Sequence, residues 1–125
     1  MANTARVNPS GGQAFWSMTI SHLMVAAYRA RLYGSNGALL QKWDDQRTDD
    51  SLPDKFQITV PPASLTGCVL SWDAYVMDPG DKGGPYVGTV TVDQDGTPLC
   101  VESAPGEVPP GNGKVSLYAD EIKFW

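Results

Sequence analysis

The chain has 125 residues, a size at which one domain buries a working hydrophobic core without metal or disulfide staples. Its hydrophobic fraction of 42% excludes an intrinsically disordered chain, and its formal net charge of -5 argues against a protein that grips a nucleic-acid phosphate backbone. No apolar run approaches the roughly 18–20 residues of a membrane-spanning helix.

The positions of turn residues divide the chain into an N-terminal arm and eight predicted strands. Residues 1–13 contain Asn, Pro, Ser and two Gly, so we interpret them as a flexible arm and assign residues 14–125 to a single domain. The predicted strands are, in chain order, 14–20, 22–33, 38–43, 56–60, 66–76, 86–92, 97–102 and 114–125.

Period-two alternation identifies these segments as strands with one buried and one wet face. Phe56, Ile58 and Val60 alternate with polar residues, and the Asn36–Gly37 pair is a strong signal for a hairpin turn. Polar segments rich in Asp, Pro and Gly predict loops over 44–53, 77–85 and 103–113. Together these features predict an all-β protein, an eight-stranded antiparallel β-sandwich.

The sequence contains no pattern typical of catalysis. The sole histidine, His22, has no neighbouring nucleophile signature, and no glycine-rich loop ends in Lys-Ser or Lys-Thr. Adjacent carboxylates such as Asp49–Asp50 and Asp120–Glu121 are typical of solvated surface charge, because neighbours on a strand point to opposite faces. We therefore expect a protein that is not an enzyme.

The two cysteines leave two alternatives open. Cys68 and Cys100 lie in separate predicted strands, where they are either a disulfide pair in an oxidising setting or two small buried thiols. Four closely spaced Cys or His ligands are missing, which excludes a structural zinc site. The N-terminus lacks a classical signal peptide. We expect a cytoplasmic protein, or one released by another route that acts extracellularly if it is a toxin component.

The order of motifs over residues 39–92 resembles that of C2-type β-sandwich domains. Pro53 and Phe56 hold the places where that family begins a strand with a proline and an aromatic residue. Trp72–Asp73 stands where an apolar strand enters an Asp-rich loop, and Val87–Gly88 stands where the next strand opens. The resemblance implies a C2-like sandwich.

That resemblance also implies a calcium site in the Asp-rich loop. Asp73 and Asp81 match the family's spacing and Asp78 would add a ligand, but Tyr75 and Ala26 stand where the family has further Asp residues. Calcium takes six to eight oxygen ligands. We therefore expect no cofactor, and calcium held by Asp73, Asp78 and Asp81 is the alternative.

A narrower resemblance lies within residues 28–60. Lys42–Trp43 with nearby Asp residues, a charged loop and an alternating strand are similar to the small partner chain of two-component insecticidal crystal proteins. Those chains are also short, acidic, C2-like and without a signal peptide, and have two cysteines. The resemblance implies a chain that assists a larger pore-forming protein or engages target membranes.

These observations favour a non-enzymatic interaction module that docks a larger protein, a cell surface or a membrane target, with no nucleic-acid partner and no transmembrane segment. Aromatic anchors beside Asp-rich loops are typical of interfaces. The candidate binding residues are Trp43, Asp44, Asp45, Tyr75, Asp78 and Tyr86. The alternatives are a calcium-dependent phospholipid-binding module and a carbohydrate-binding module that stacks sugars on Trp16, Trp43 and Trp125. For the tryptophans, burial in the core is the competing interpretation.

Overall fold

The computed structural model describes residues 3–20, 25–47, 54–78, 80, 82–111 and 114–125, which form nine strands and one helical turn. The strands are β1 (Asn3–Ala5), β2 (Ala14–Ile20), β3 (Val25–Tyr33), β4 (Leu39–Arg47), β5 (Asp54–Gln57), β6 (Val69–Met77), β7 (Gly84–Gln94), β8 (Thr97–Val108) and β9 (Lys114–Phe124), and the helical turn α1 spans Pro62–Leu65. The five-stranded sheet has the order β1-β9-β6-β3-β4, and the four-stranded sheet has the order β5-β2-β7-β8. The prediction of an all-β protein is confirmed.

The two sheets face one another across a shared core. Trp16 on β2 is fully buried and lies at the centre of an aromatic cluster. Its ring stacks on Phe56 of the same sheet, with 4.8 Å between centroids, and meets Tyr28 and Trp43 of the other sheet edge-on at 5.9 and 5.6 Å. Because these rings interlock across the layers, the cluster fixes how the two sheets pack.

Polar side chains join the layers at both open sides. On one side Gln41 of β4 reaches the four-stranded sheet: its Nε2 donates to the Gln57 carbonyl at 3.2 Å, and its Oε1 accepts from the Thr59 amide at 3.0 Å. On the other side the side-chain Nδ2 of Asn3 on β1 donates to the buried Glu102 carboxylate of β8. The Asn3 bond satisfies the buried Glu102 carboxylate, whereas the Gln41 bonds are exposed to solvent.

The N-terminal residues, which we predicted to be a flexible arm, form part of the sheet. Asn3–Ala5 pair in parallel with residues 122–124 of β9, and Ala5 is fully buried. The Val7 amide then donates to the Trp125 carbonyl at 2.9 Å. The prediction missed this strand because its hydrogen-bonding partner is the far end of the chain, which no local pattern reveals.

The strand count and two predicted loops also differ from expectation. Eight strands were predicted and nine are present in the described part of the chain, since β1 is added. β4 continues to Arg47 and β8 to Val108, through segments predicted as loops. Pro105 is tolerated within β8 because β8 is an edge strand, where one missing amide donor costs little.

Both cysteines are free thiols in this structure. Cys68 is buried just before β6, and Cys100 is half-buried on β8 of the opposite sheet. Burial raises the pKa of both thiols, and for Cys100 the carboxylates of Glu102 and Asp120 raise it further. Both are therefore poor nucleophiles at neutral pH.

Candidate functional site

The outer face of the five-stranded sheet presents a set of polar and aromatic side chains. On β3 the residues Tyr28, Ala30 and Leu32 are buried, so the residues between them point to solvent. The same alternation on β6 buries Leu70 and Trp72 and turns their neighbours outward. The residues presented are Arg29, Arg31, Tyr33, Ser71, Asp73 and Tyr75, and we call this set the outer platform.

The register of β3 on β6 sets the geometry of the outer platform. Arg29 lies directly opposite Asp73, and Arg31 lies directly opposite Ser71. Between them is an open depression of about 280 Å³, whose wall also includes Tyr33. Its volume falls just below the roughly 300–1,000 Å³ of pockets that enclose a small molecule, so its size matches one protruding side chain or a single sugar ring.

Arg29 and Asp73 form a two-pronged ion pair on the outer platform. Arg29 Nε donates to Asp73 Oδ1 at 2.9 Å, and Nη2 donates to Oδ2 at 2.6 Å. The hydrogen bonds from Arg29 lower the pKa of Asp73 and, reciprocally, raise that of Arg29. Such a planar fork fixes the relative direction of the two side chains.

Arg31 is held on the side toward β4. Its Nη1 donates to the carbonyls of Ala30 and Trp43 at 2.9 and 3.1 Å, and its Nη2 donates to Asp44 Oδ1 at 3.1 Å. The Asp44 side chain remains 55% exposed. Asp44, a predicted binding residue, is thereby connected to the outer platform through Arg31.

The other predicted binding residues are not gathered at one end of the sandwich. Tyr75 is 45% exposed on the outer platform, whereas Trp43 points inward against Trp16. Tyr86 is only 4% exposed and belongs to the core, so it offers no docking surface. The backbone of Asp45 lies in β4, and its side chain is outside the described residues.

Asp78, predicted both as a binding residue and as a calcium ligand, organises its own loop. Its Oδ1 accepts from the Gly80 amide at 2.9 Å, and its Oδ2 accepts from the amides of Lys82 and Gly83 at 2.8 and 2.7 Å. The Gly80 amide is the main cause of the lowered pKa of Asp78. A Cβ at Gly83, where φ is +72°, would collide with the Val108 carbonyl, so glycine is required there.

Calcium binding by Asp73, Asp78 and Asp81 stays a prediction. Asp73 faces Arg29, and Asp78 faces three backbone amides. Asp81 lies outside the described residues. Within the described residues no three Cys, His, Asp or Glu side chains group as metal ligands would. A calcium ion would therefore have to compete with Arg29 for Asp73 and open the hydrogen bonds of Asp78.

The tryptophans suggested for sugar stacking differ in exposure. Trp16 is fully buried, so its assignment to a sugar-binding surface was wrong. Trp125 is 53% exposed, and the Arg6 guanidinium lies 5.0 Å from its ring centroid. Trp16, Trp43 and Trp125 therefore do not form one stacking surface, because two of them pack in the core cluster.

Four residues of the outer platform were not singled out from the sequence, namely Arg29, Arg31, Tyr33 and Ser71. Residues 28–33 alternate large or apolar with charged side chains, a pattern typical of a strand that carries both arginines on one wet face. What remained hidden was the pairing of that face with Ser71 and Asp73, about forty residues later in the chain.

His22 and the Asp49–Asp50 pair lie outside the described residues. Among the described residues no helix combines the length and the apolar character needed to span a bilayer. Comparison with family profiles, with characterised proteins and with solved structures gave no match.

Proposed function

We propose that this chain is a non-enzymatic interaction module that docks a larger partner through the outer platform. The observation that carries the proposal is the Arg29–Asp73 fork beside an open depression, with Tyr33 and Tyr75 exposed at 36% and 45%. Tyr and Arg are the side chains most enriched at protein interfaces, where they combine apolar area with directed hydrogen bonds.

The rigidity of the outer platform supports docking. Its two arginines are already held by carboxylates and carbonyls, so these side chains lose less conformational entropy when a partner binds them. The face also lies on paired strands, β3 and β6, which hold side chains more firmly than loops do. A shallow, open depression is suited to receiving one side chain of a partner.

We further propose a C2-like sandwich and, as the biological setting, the small component of a two-component insecticidal or pore-forming toxin. The two facing sheets, the acidic composition and the Lys42–Trp43 motif support this proposal. In that setting the outer platform contacts the larger component or the target membrane.

The test is binding to the product of a neighbouring gene that encodes a large β-rich protein, measured by calorimetry with purified chains. Ser71→Tyr fills the depression from a central strand without entering the core. If the depression receives a partner side chain, affinity falls by roughly tenfold or more. The matched control is Ser103→Tyr, the same change at an exposed site on the four-stranded sheet. Equal affinity for the two variants would refute docking at the outer platform.

A carbohydrate-binding module is the second candidate, favoured by the tyrosines that flank hydrogen-bonding Arg29, Ser71 and Asp73. Aromatic faces beside paired donors and acceptors suit a sugar ring. A glycan array probed with the wild-type chain and with Tyr75→Ala separates the candidates, because only sugar stacking predicts array signals that disappear in the variant.

A further inference from the structure

The two open sheets have four edge strands, and three of them carry features that block further strand pairing. β1 has three residues and β5 has four, too few to hold an added strand. β8 is long but contains Pro98 and Pro105, and its Glu102 carboxylate points inward. Short length, proline and inward-pointing charge protect sheet edges, and exposed charged side chains do so as well.

Among its described residues, β4 lacks the first three of these protections and carries exposed charges, Lys42 and Asp44. It runs for nine residues, contains no proline, and in the described part of the chain it has β3 on one side and no strand on the other. Leu39 and Leu40, where the strand begins, are 51% and 47% exposed. A long edge of this kind is a template for backbone hydrogen bonds with another strand.

The charges along β4 are complementary to those of a second, antiparallel β4. With Trp43 on a two-fold axis, position 42 of one copy lies opposite position 44 of the other. Lys42 and Asp44 lie opposite Arg31 and Arg29, whose side chains face outward, so both occupy the outer face and both are exposed. The dimer thus contains two Lys42–Asp44 pairs, each with one residue from either copy, and opposite charges directly across strands attract.

Trp43 suits the position on the axis. Its side chain is half-buried against Trp16, which leaves part of the ring uncovered at the rim of the core. A second Trp43 directly across the axis covers that remaining area, and aromatic cross-strand pairs stabilise sheets.

We infer that the chain forms a two-fold symmetric dimer in which β4 pairs antiparallel with β4 of a second copy, in the register centred on Trp43. Two-fold dimers with self-complementary surfaces are the commonest protein oligomers. The product is one continuous ten-stranded sheet, formed from two five-stranded sheets. It places two outer platforms on the same face, but it does not depend on what those platforms bind.

The first experiment measures the oligomeric state by sedimentation velocity over a wide range of protein concentration. The wild-type chain is expected to dimerise, and more weakly at high salt because exposed charge pairs are screened. Lys42→Glu and Asp44→Lys each replace two attractions by two repulsions, which weakens the dimer by roughly tenfold or more.

The decisive experiment mixes these two variants. A carboxylate introduced at position 42 meets the ammonium introduced at position 44 of the other chain, and the native Asp44 meets the native Lys42. Two chains that are each impaired alone are therefore expected to form a heterodimer close to wild-type affinity. Only the register centred on Trp43 predicts this rescue, so it tests the register as well as the dimer.

Circular dichroism of each variant checks that it is folded. The control is Glu107→Lys, a charge reversal of equal size on the β8 edge, which is expected to leave dimerisation unchanged. If the wild-type chain stays monomeric at the highest concentration, the inference is overturned. The β4 edge would then be available to pair with a strand of another protein. A dimer that both variants leave intact, or a mixture without rescue, overturns the proposed register.

Discussion

Replacing Gln94 by alanine is expected to destabilise the segment that connects the two sheets. Gln94 is 3% exposed and ends β7. Its Nε2 donates to the carbonyls of Asn8 and Gly12 at 2.9 and 2.8 Å, and its Oε1 accepts from the Asn8 amide at 2.9 Å. One side chain thus holds the segment that leads from the five-stranded sheet into the four-stranded sheet.

The size of the effect follows from those three bonds. A hydrogen bond contributes about 1 kcal/mol net, so three set an upper value of about 3 kcal/mol. Asn8 and Gly12 are both exposed, so water replaces part of what is lost. We expect Gln94→Ala to lower the free energy of unfolding by about 2 kcal/mol, which at ~4 °C per kcal/mol lowers Tm by about 8 °C.

Urea denaturation followed by tryptophan fluorescence measures the change, with calorimetry for Tm. The matched control is Gln57→Ala, the same truncation at an exposed position of β5, which is expected to shift stability by less than about 0.5 kcal/mol. If Gln94→Ala is no more destabilising than Gln57→Ala, the tether does not hold the segment and the reasoning fails.

Three further predictions concern other parts of the fold. Gly106→Ala is expected to lower the free energy of unfolding by about 1–3 kcal/mol, because its new methyl group meets the buried ring and hydroxyl of Tyr86. Adding Tyr86→Phe to the same chain should recover part of that loss. If denaturation shows that the costs of the two substitutions simply add, the clash is contradicted. Backbone amides lower the pKa of the Asp78 carboxylate, so its ionised form stabilises the loop. This stabilisation is fully present at pH values above the unfolded pKa of about 3.9, and it is lost as pH falls through the folded pKa. Amide chemical shifts titrated into acid should show that loss, and Asp78→Asn should abolish it. Burial raises the pKa of both thiols, so iodoacetamide at neutral pH should alkylate them more slowly than it alkylates a peptide thiol. Half-buried Cys100 should react before buried Cys68, as followed by mass spectrometry. Equally rapid alkylation of both cysteines would contradict the assigned burial.

Local patterning was enough to place most of the strands. The range predicted for β2 matches the structure, and Phe56 and Ile58 lie on the buried side as their alternation predicted. The signal is strong there because period-two burial is a property of the segment itself and needs no knowledge of its neighbours. The same signal placed Arg29 and Arg31 together on a wet face.

The candidate site was predicted only in part for a related reason. Asp44 and Tyr75 were chosen because they lie near polar loops, but strand pairing is what brings them to the outer platform. Asp44 accepts a hydrogen bond from Arg31 across β3 and β4, and Tyr75 lies on β6 beside β3. Tyr86 also lies near a polar loop but faces the core, because it shares the buried face of β7 with Val90 and Val92. Sequence position alone does not separate an exposed tyrosine from a buried one at a strand end.

By itself, the sequence determined that this chain is all-β and which side chains share a face, because alternation along a strand is fixed by the geometry of the extended backbone. Tertiary structure decided the partners: Asn3–Ala5 lie beside residues 122–124, Arg29 lies opposite Asp73, and among the described residues no strand pairs with the outer edge of β4. Backbone hydrogen bonds are nearly the same in any register. The choice among registers therefore rests on which distant side chains pack together once both sheets have formed.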